Sequence, residues 1–139
     1  GYTNNGYTKI IPYFQKAWRY EDAIDYCLSH LIPAVKADCR ITFGQKCEEI
    51  QEAFIELSKH QIYDKLRLNA KRESLVDDEQ RFSGFANQHY SNYEKLLKLG
   101  SAKQKEIEYK EIERIFGENI SCWPECFQIK HADQGKDSQ

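Results

Sequence analysis

The residues with the most specific chemistry in this sequence are five cysteines, Cys27, Cys39, Cys47, Cys122 and Cys126. Five thiols in 139 residues are typical of an oxidising compartment, where disulfides hold small domains together. Cys122 and Cys126 lie in a C-terminal segment with little helical pattern, so we predict a disulfide that includes one of them. Pairing four of the five cysteines would leave one thiol, which is buried or bridges two copies of the chain in a homodimer. The alternative is a cytosolic protein with buried free thiols.

Other patterns that could do chemistry are weak. One face of a predicted helix carries Glu52, Glu56 and His60, which could bind a metal ion. On a charged helix, such a set of residues is more often part of the solvent-exposed face. The cysteines lack the two matched pairs of a zinc site. The sequence has no G-x-S-x-G elbow, no Gly-rich phosphate loop and no H-E-x-x-H motif. We therefore predict no metal, no cofactor and no enzymatic activity.

Aromatic side chains are the remaining signal, at 13% of the chain. Trp123 and Phe127 fall in the tail, and Tyr90 lies beside the apolar face of a predicted helix. Exposed Tyr and Trp are good anchors for a partner, so these three residues are the predicted contact surface. The alternative for Trp123 is that it covers the open end of the helices. Asn119-Ile120-Ser121 also fits the acceptor pattern for N-glycosylation.

These residues must be positioned by helices, because apolar residues recur at spacings of three and four and no stretch alternates with the period of a strand. A Thr42-x-x-Gln45 capping box, an N-cap at Ser74 and a stop at Gly100 set the boundaries. Pro33 ends or kinks the first helix. The predicted helices cover residues 12–32, 43–71, 75–99 and 101–116.

Short joins between these helices predict an all-α, up-and-down bundle of about four helices with a disulfide-tied C-terminal tail. Residues 1–130 form a single helical domain in this interpretation, and residues 131–139 form a frayed polar tail. The predicted core consists of Ile24, Leu28, Leu31, Ile50, Phe54, Phe82, Phe85, Ile112 and Phe116.

The net charge of −2 with mixed signs argues against nucleic-acid binding, and no stretch is apolar enough to span a membrane. A chain without methionine that begins at Gly1 predicts a removed leader or an excised piece of a longer protein. We expect an exported protein, secreted or periplasmic, with the cytoplasm as the alternative. The predicted function is binding another protein, as an inhibitor, immunity factor, effector or secreted ligand. The alternative is a carrier that holds a small apolar ligand between helices.

Overall fold

The computed structural model describes residues 20–126 and 128, and every regular element in this part of the chain is helical. Residues 1–19, Phe127 and residues 129–139 lie outside the described part, and so does the predicted start of the first helix at residue 12. None of the described helices is both long and apolar enough to cross a membrane. The elements are α1 (Tyr20–Tyr26), a π-helical turn (Cys27–Leu31), α2 (Ile32–Thr42), α3 (Glu48–Arg72), α4 (Val76–Phe116) and a 3₁₀ turn (Ile120–Cys122).

The helical path from α1 to α2 continues through Pro33 because a π-helical turn precedes the proline. Proline has no N–H to donate and its ring crowds the carbonyl four residues earlier, so the wider turn accommodates both. The wider turn also rotates each residue by less than the ~100° of an α-helix. As a result, one buried stripe recurs at every fourth residue: Ala23, Cys27, Leu31, Val35 and Cys39. Of the two predictions for Pro33, the ended helix was therefore wrong.

Helices α3 and α4 form an antiparallel hairpin, and α1 and α2 pack on α3. Ser74, the predicted N-cap, instead lies in the connecting turn with a φ of 59°. Leu75 N–H bonds to the Ala70 carbonyl at 2.9 Å, which is the bond of a Schellman turn. The capping box at Thr42 was also wrong, because α2 runs to Thr42 and α3 begins only at Glu48. The Cys47 N–H that precedes α3 is satisfied by Gln104 Oε1 of α4, at 2.9 Å.

Gly100 does not end a helix, because α4 is one continuous helix of 41 residues. The glycine is buried, and a Cβ there would lie 2.9 Å from Ile50 Cδ1 and 3.0 Å from Ile50 N. Gly100 thus permits close approach of α3 and α4, and the helix ends at Gly117, where φ is 88°. The prediction of separate third and fourth helices was wrong. The described architecture is a hairpin of two long helices with the α1–α2 segment beside it.

The central core lies at the hairpin-turn end, where Cys27, Leu66 and Phe82 bring all three helical segments together. Tyr20 Oη donates to Asp78 Oδ2 at 2.8 Å across the same end, and burial together with this bond raises the pKa of Tyr20. Four predicted core residues are buried, Leu31, Ile50, Phe82 and Ile112, and two are partly buried, Ile24 and Phe54. Three were wrongly predicted, since Leu28, Phe85 and Phe116 are 47%, 43% and 38% exposed.

Candidate functional site

Five rings form a continuous row of contacts on the α3–α4 hairpin, which we call the aromatic ladder: Phe43, Phe54, Tyr93, Tyr90 and His60. Phe43 and Phe54 stack with centroids 4.3 Å apart and ring planes 5° from parallel. Phe54 is 6.2 Å from Tyr93, which is 5.8 Å from Tyr90. His60 completes the row at 4.9 Å from Tyr90. Such tilted and stacked contacts are the arrangements that aromatic rings prefer.

The ladder is fixed in place by helical spacing and one polar contact. Tyr90 and Tyr93 are three residues apart on α4 and therefore neighbours on its surface. His60 Nδ1 donates to the Ala86 carbonyl at 2.8 Å, which holds the imidazole against α4. The rings are nevertheless only partly covered, and Tyr90 is 42% exposed. The hairpin therefore presents an ordered aromatic surface to its surroundings.

A second group of rings lies beside the ladder on the α3–α4 hairpin and has a different character. Tyr63 lies between Phe82 and Phe85, at 6.2 and 5.2 Å, and stacks on His89 at 5.4 Å. Burial raises the pKa of Tyr63, and the neighbouring Cys27 thiol adds to this effect. His89 Nδ1 bonds to Glu56 Oε2, so a carboxylate and an imidazole join α3 to α4. This second group is continuous with the core, because Tyr63 packs against the core.

The three residues predicted to bind a metal ion, Glu52, Glu56 and His60, have separate partners. Glu52 pairs with Arg40, Glu56 with His89, and His60 with the Ala86 carbonyl. Within residues 20–126 and 128, no group of three or more His, Cys, Asp or Glu side chains is placed to hold a metal ion. These residues connect helices to each other, which is a structural task.

Trp123 is 3% exposed and fastens the C-terminal segment to the far end of α4. Its Nε1 donates to the Gly117 carbonyl at 2.8 Å, and its ring meets Tyr109 edge-on at 5.2 Å. Gln128 Nε2 in turn donates to the Trp123 carbonyl at 2.6 Å. This burial favours the covering role for Trp123 over the role of exposed anchor. Phe127, the other predicted contact in the tail, cannot be placed beside it because its side chain is outside the described part.

The five thiols are all free, so the predicted disulfide-tied tail is not confirmed. They are spread along the molecule: Cys27 lies in the core, Cys39 lies 3.9 Å from Ser58 Oγ, and Cys47 Sγ donates to the Gly100 carbonyl at 3.5 Å. Burial raises the pKa of the Cys27 thiol to about 12. Cys122 and Cys126 are exposed in the tail. Trp123, and not a covalent bond, holds this segment to α4.

Asn119, the glycosylation candidate, is exposed and caps the 3₁₀ turn. Its Oδ1 accepts from Ser121 N–H at 3.1 Å and from Ser121 Oγ at 2.7 Å. Both polar residues of the acceptor triplet are thus engaged in the turn.

The sequence pointed to one member of the ladder, Tyr90, as a contact residue, and it placed Phe54 in the core and His60 in a possible metal site. The available signal was the i, i+3 spacing of Tyr90 and Tyr93, whereas the contact of Phe43 with Phe54 depends on the turn between α2 and α3. A depression of about 350 Å³ lies near the hairpin turn, and its lining residues are Arg67, Val76, Glu79, Gln80 and Ser83. No protein-family model, curated protein or solved structure matches this chain.

Proposed function

We propose that the protein is a non-enzymatic binding module that holds a partner protein against the aromatic ladder. The observation that carries the proposal is the ordered, partly exposed row of five rings centred on Tyr90 and Tyr93. Rings that are already fixed by neighbouring rings lose little conformational entropy when a partner covers them. Tyr also combines a large apolar area with a hydroxyl group, which makes it a frequent hot-spot residue.

The partner that fits this surface presents an apolar segment. Leu57 lies three residues from both Phe54 and His60, and Leu97 lies four residues after Tyr93. Both leucines are partly exposed and extend the apolar row by helical spacing. The chain's mixed charges and net charge of −2 supply no strong field for a charged ligand. Binding would therefore depend on shape and apolar contact along the hairpin.

The export of the protein is a separate part of this proposal. It rests on the number of cysteines, and a binding module of this kind would act as an inhibitor, immunity factor, effector or secreted ligand. The alternative function, a carrier of a small apolar ligand, gains no support from the depression near the hairpin turn, because four of its five lining residues are polar or charged.

The decisive variants are Tyr90→Ala and Phe85→Ala, which form a matched pair. The two residues are on the same helix, 42% and 43% exposed, and about 140° apart around its axis. Only Tyr90 belongs to the ladder, whereas Phe85 contacts Tyr63 in the second group of rings. We expect a partner identified by co-purification and mass spectrometry to bind Tyr90→Ala about thirtyfold more weakly, roughly 2 kcal/mol, and to bind Phe85→Ala normally.

The measurement is a calorimetric titration of each purified variant with that partner, after circular dichroism has shown that both remain helical. Equal losses of affinity in the two variants would contradict the assignment of the contact surface to the ladder. A small molecule that co-purifies and is lost from neither variant would favour the carrier function instead.

A further inference from the structure

Cys122 and Cys126 differ from the other three thiols in being exposed. Cys27 and Cys39 are buried, and Cys47 is partly covered with its Sγ donating to the Gly100 carbonyl. Thiol–disulfide exchange requires that a sulfur atom be reached by the reagent, so exposure selects this pair for reaction with a dissolved disulfide.

The two thiols belong to one short segment that is folded back by hydrogen bonds between its own residues. Trp123, next to Cys122, is held by the Gly117 carbonyl and the Tyr109 ring. Gln128, two residues after Cys126, donates its backbone N–H to the Pro124 carbonyl at 3.2 Å. Its side chain reaches back to the Ser121 carbonyl at 3.5 Å and to the Trp123 carbonyl at 2.6 Å. A bond between the two cysteines would therefore close only a small loop that is already folded back.

The other cysteines make their contacts away from the Tyr109–Trp123 pair. Cys47 lies beside Gly100, whereas Trp123 packs on Tyr109, nine residues or about 13 Å further along α4. A disulfide requires Cα atoms within about 7 Å. Cys27 lies in the core cluster, and Cys39 contacts Ser58 of α3.

We propose that Cys122 and Cys126 form a thiol–disulfide exchange site that a low-molecular-weight disulfide, such as oxidised glutathione, converts into an intramolecular disulfide. The thiolate of one cysteine attacks the glutathione disulfide, forms a mixed disulfide and releases one glutathione thiolate. The second cysteine then attacks the protein sulfur of that mixed disulfide and releases the second glutathione thiolate. In total, two protein thiols lose two electrons and two protons, and one glutathione disulfide becomes two glutathione molecules.

The test is incubation of the folded, reduced full-length chain with oxidised glutathione, followed by acid quenching and intact mass measurement. The expected product has lost the mass of two hydrogen atoms, and its peptide map contains a link between Cys122 and Cys126. The variants Cys122→Ser and Cys126→Ser should each stop at the mixed disulfide and gain one bound glutathione. Cys47→Ser, the matched control, should form the same link as the parent chain.

Three outcomes would overturn the proposal. The parent chain could keep glutathione on both cysteines, the link could involve Cys47, or the product could be a covalent dimer at low protein concentration. A helical circular dichroism spectrum of each serine variant is required, so that a change in reactivity is not the result of unfolding.

Discussion

The two parts of α4 are stabilised in different ways, although they belong to one helix. From Val76 to Gly100 the helix packs along α3, and side chains such as His89 contact residues far away in sequence. The part of α4 beyond Gln104 is here called the arm, because it extends past the N-terminal end of α3. The arm's ion pairs are local, Glu106 with Lys110 at 3.0 Å and Glu111 with Arg114 at 2.6 Å. Tyr109 meets Trp123, its anchor in the tail.

This difference indicates which part of the molecule unfolds cooperatively. Local pairs in a helix contribute only about 0.2–0.5 kcal/mol each, and short helices without tertiary packing are marginal in water. Global stability should therefore come from the packed hairpin, while the arm should open locally when its anchor is removed.

The largest expected effect separates the two parts directly. Leu66 is fully buried in the core, so Leu66→Ala should lower the free energy of unfolding by about 2–5 kcal/mol. Trp123→Ala should leave global stability nearly unchanged and expose the amides of the arm to faster hydrogen exchange. Denaturant titration measures the first effect, and site-resolved hydrogen exchange measures the second.

Leu99→Ala is the control for Leu66→Ala, because Leu99 is 59% exposed on α4. This substitution should lower the free energy of unfolding by less than about 0.5 kcal/mol. A cooperative loss of stability in Trp123→Ala as large as that in Leu66→Ala would show that arm and hairpin unfold together. In that case the division of α4 into two parts would be wrong.

The next largest effect concerns Gly100, which lies near the point where the hairpin part of α4 meets the arm. The same substitution, glycine to alanine, is compared at Gly100 and at Gly84. In Gly100→Ala the added Cβ meets Ile50 atoms at about 3.0 Å, including a backbone nitrogen that has little room to move. We expect a loss of about 1–3 kcal/mol from overpacking. In Gly84→Ala nothing lies within 4 Å of the added Cβ, so the lower backbone entropy of alanine should stabilise the helix by about 0.5–1 kcal/mol. Urea titrations of the two variants should give changes of opposite sign in the free energy of unfolding. If both substitutions stabilise the chain, the assignment of Gly100 to the contact between α3 and α4 is wrong.

The sequence permitted prediction of the helical class, of α3 and of most of α4, because three- and four-residue spacing is a local signal. It misled us at Gly100, since a glycine that ends a helix and a glycine that lets two helices approach look alike in sequence. The choice between them depends on Ile50, fifty residues away. The Thr42 capping box failed because Thr42 belongs to α2, and the N–H of Cys47, the N-cap residue of α3, bonds to the distant Gln104.

The candidate site was less predictable than the fold. Tyr90 stood out because it lies beside an apolar face, but a ladder of rings is assembled from three parts of the chain. Trp123 shows the limit of composition arguments, because a tryptophan in an irregular tail can be an exposed anchor or a cover. Only its contacts with Tyr109 and Gly117 favour the second role.

The smallest expected effect concerns the ion pair at the base of the arm, where Lys103 Nζ lies 2.8 Å from Glu49 Oε1. The Lys103 ammonium lowers the pKa of the Glu49 carboxyl, and the carboxylate raises the pKa of Lys103. Because the pKa of Glu49 is lower in the folded chain, its contribution to stability is present above the unfolded value of about 4.3 and is lost as the pH falls through the folded value. The contribution of Lys103 is present below about pH 10.4 and is lost as the pH rises through its raised value.

We therefore expect Lys103→Met to melt at a lower temperature than the parent chain at pH 7, with the difference shrinking below about pH 4 as Glu49 becomes protonated. Added salt should also reduce the difference, because both groups are reached by solvent. Lys110→Met is the control, since Lys110 pairs with Glu106 inside the arm and joins no second helix. If arm and hairpin differ as proposed, only the Lys103 variant should change the thermal unfolding of the hairpin. An equal melting difference at pH 2 and pH 7 would show that Lys103 acts through its aliphatic chain and not through its charge.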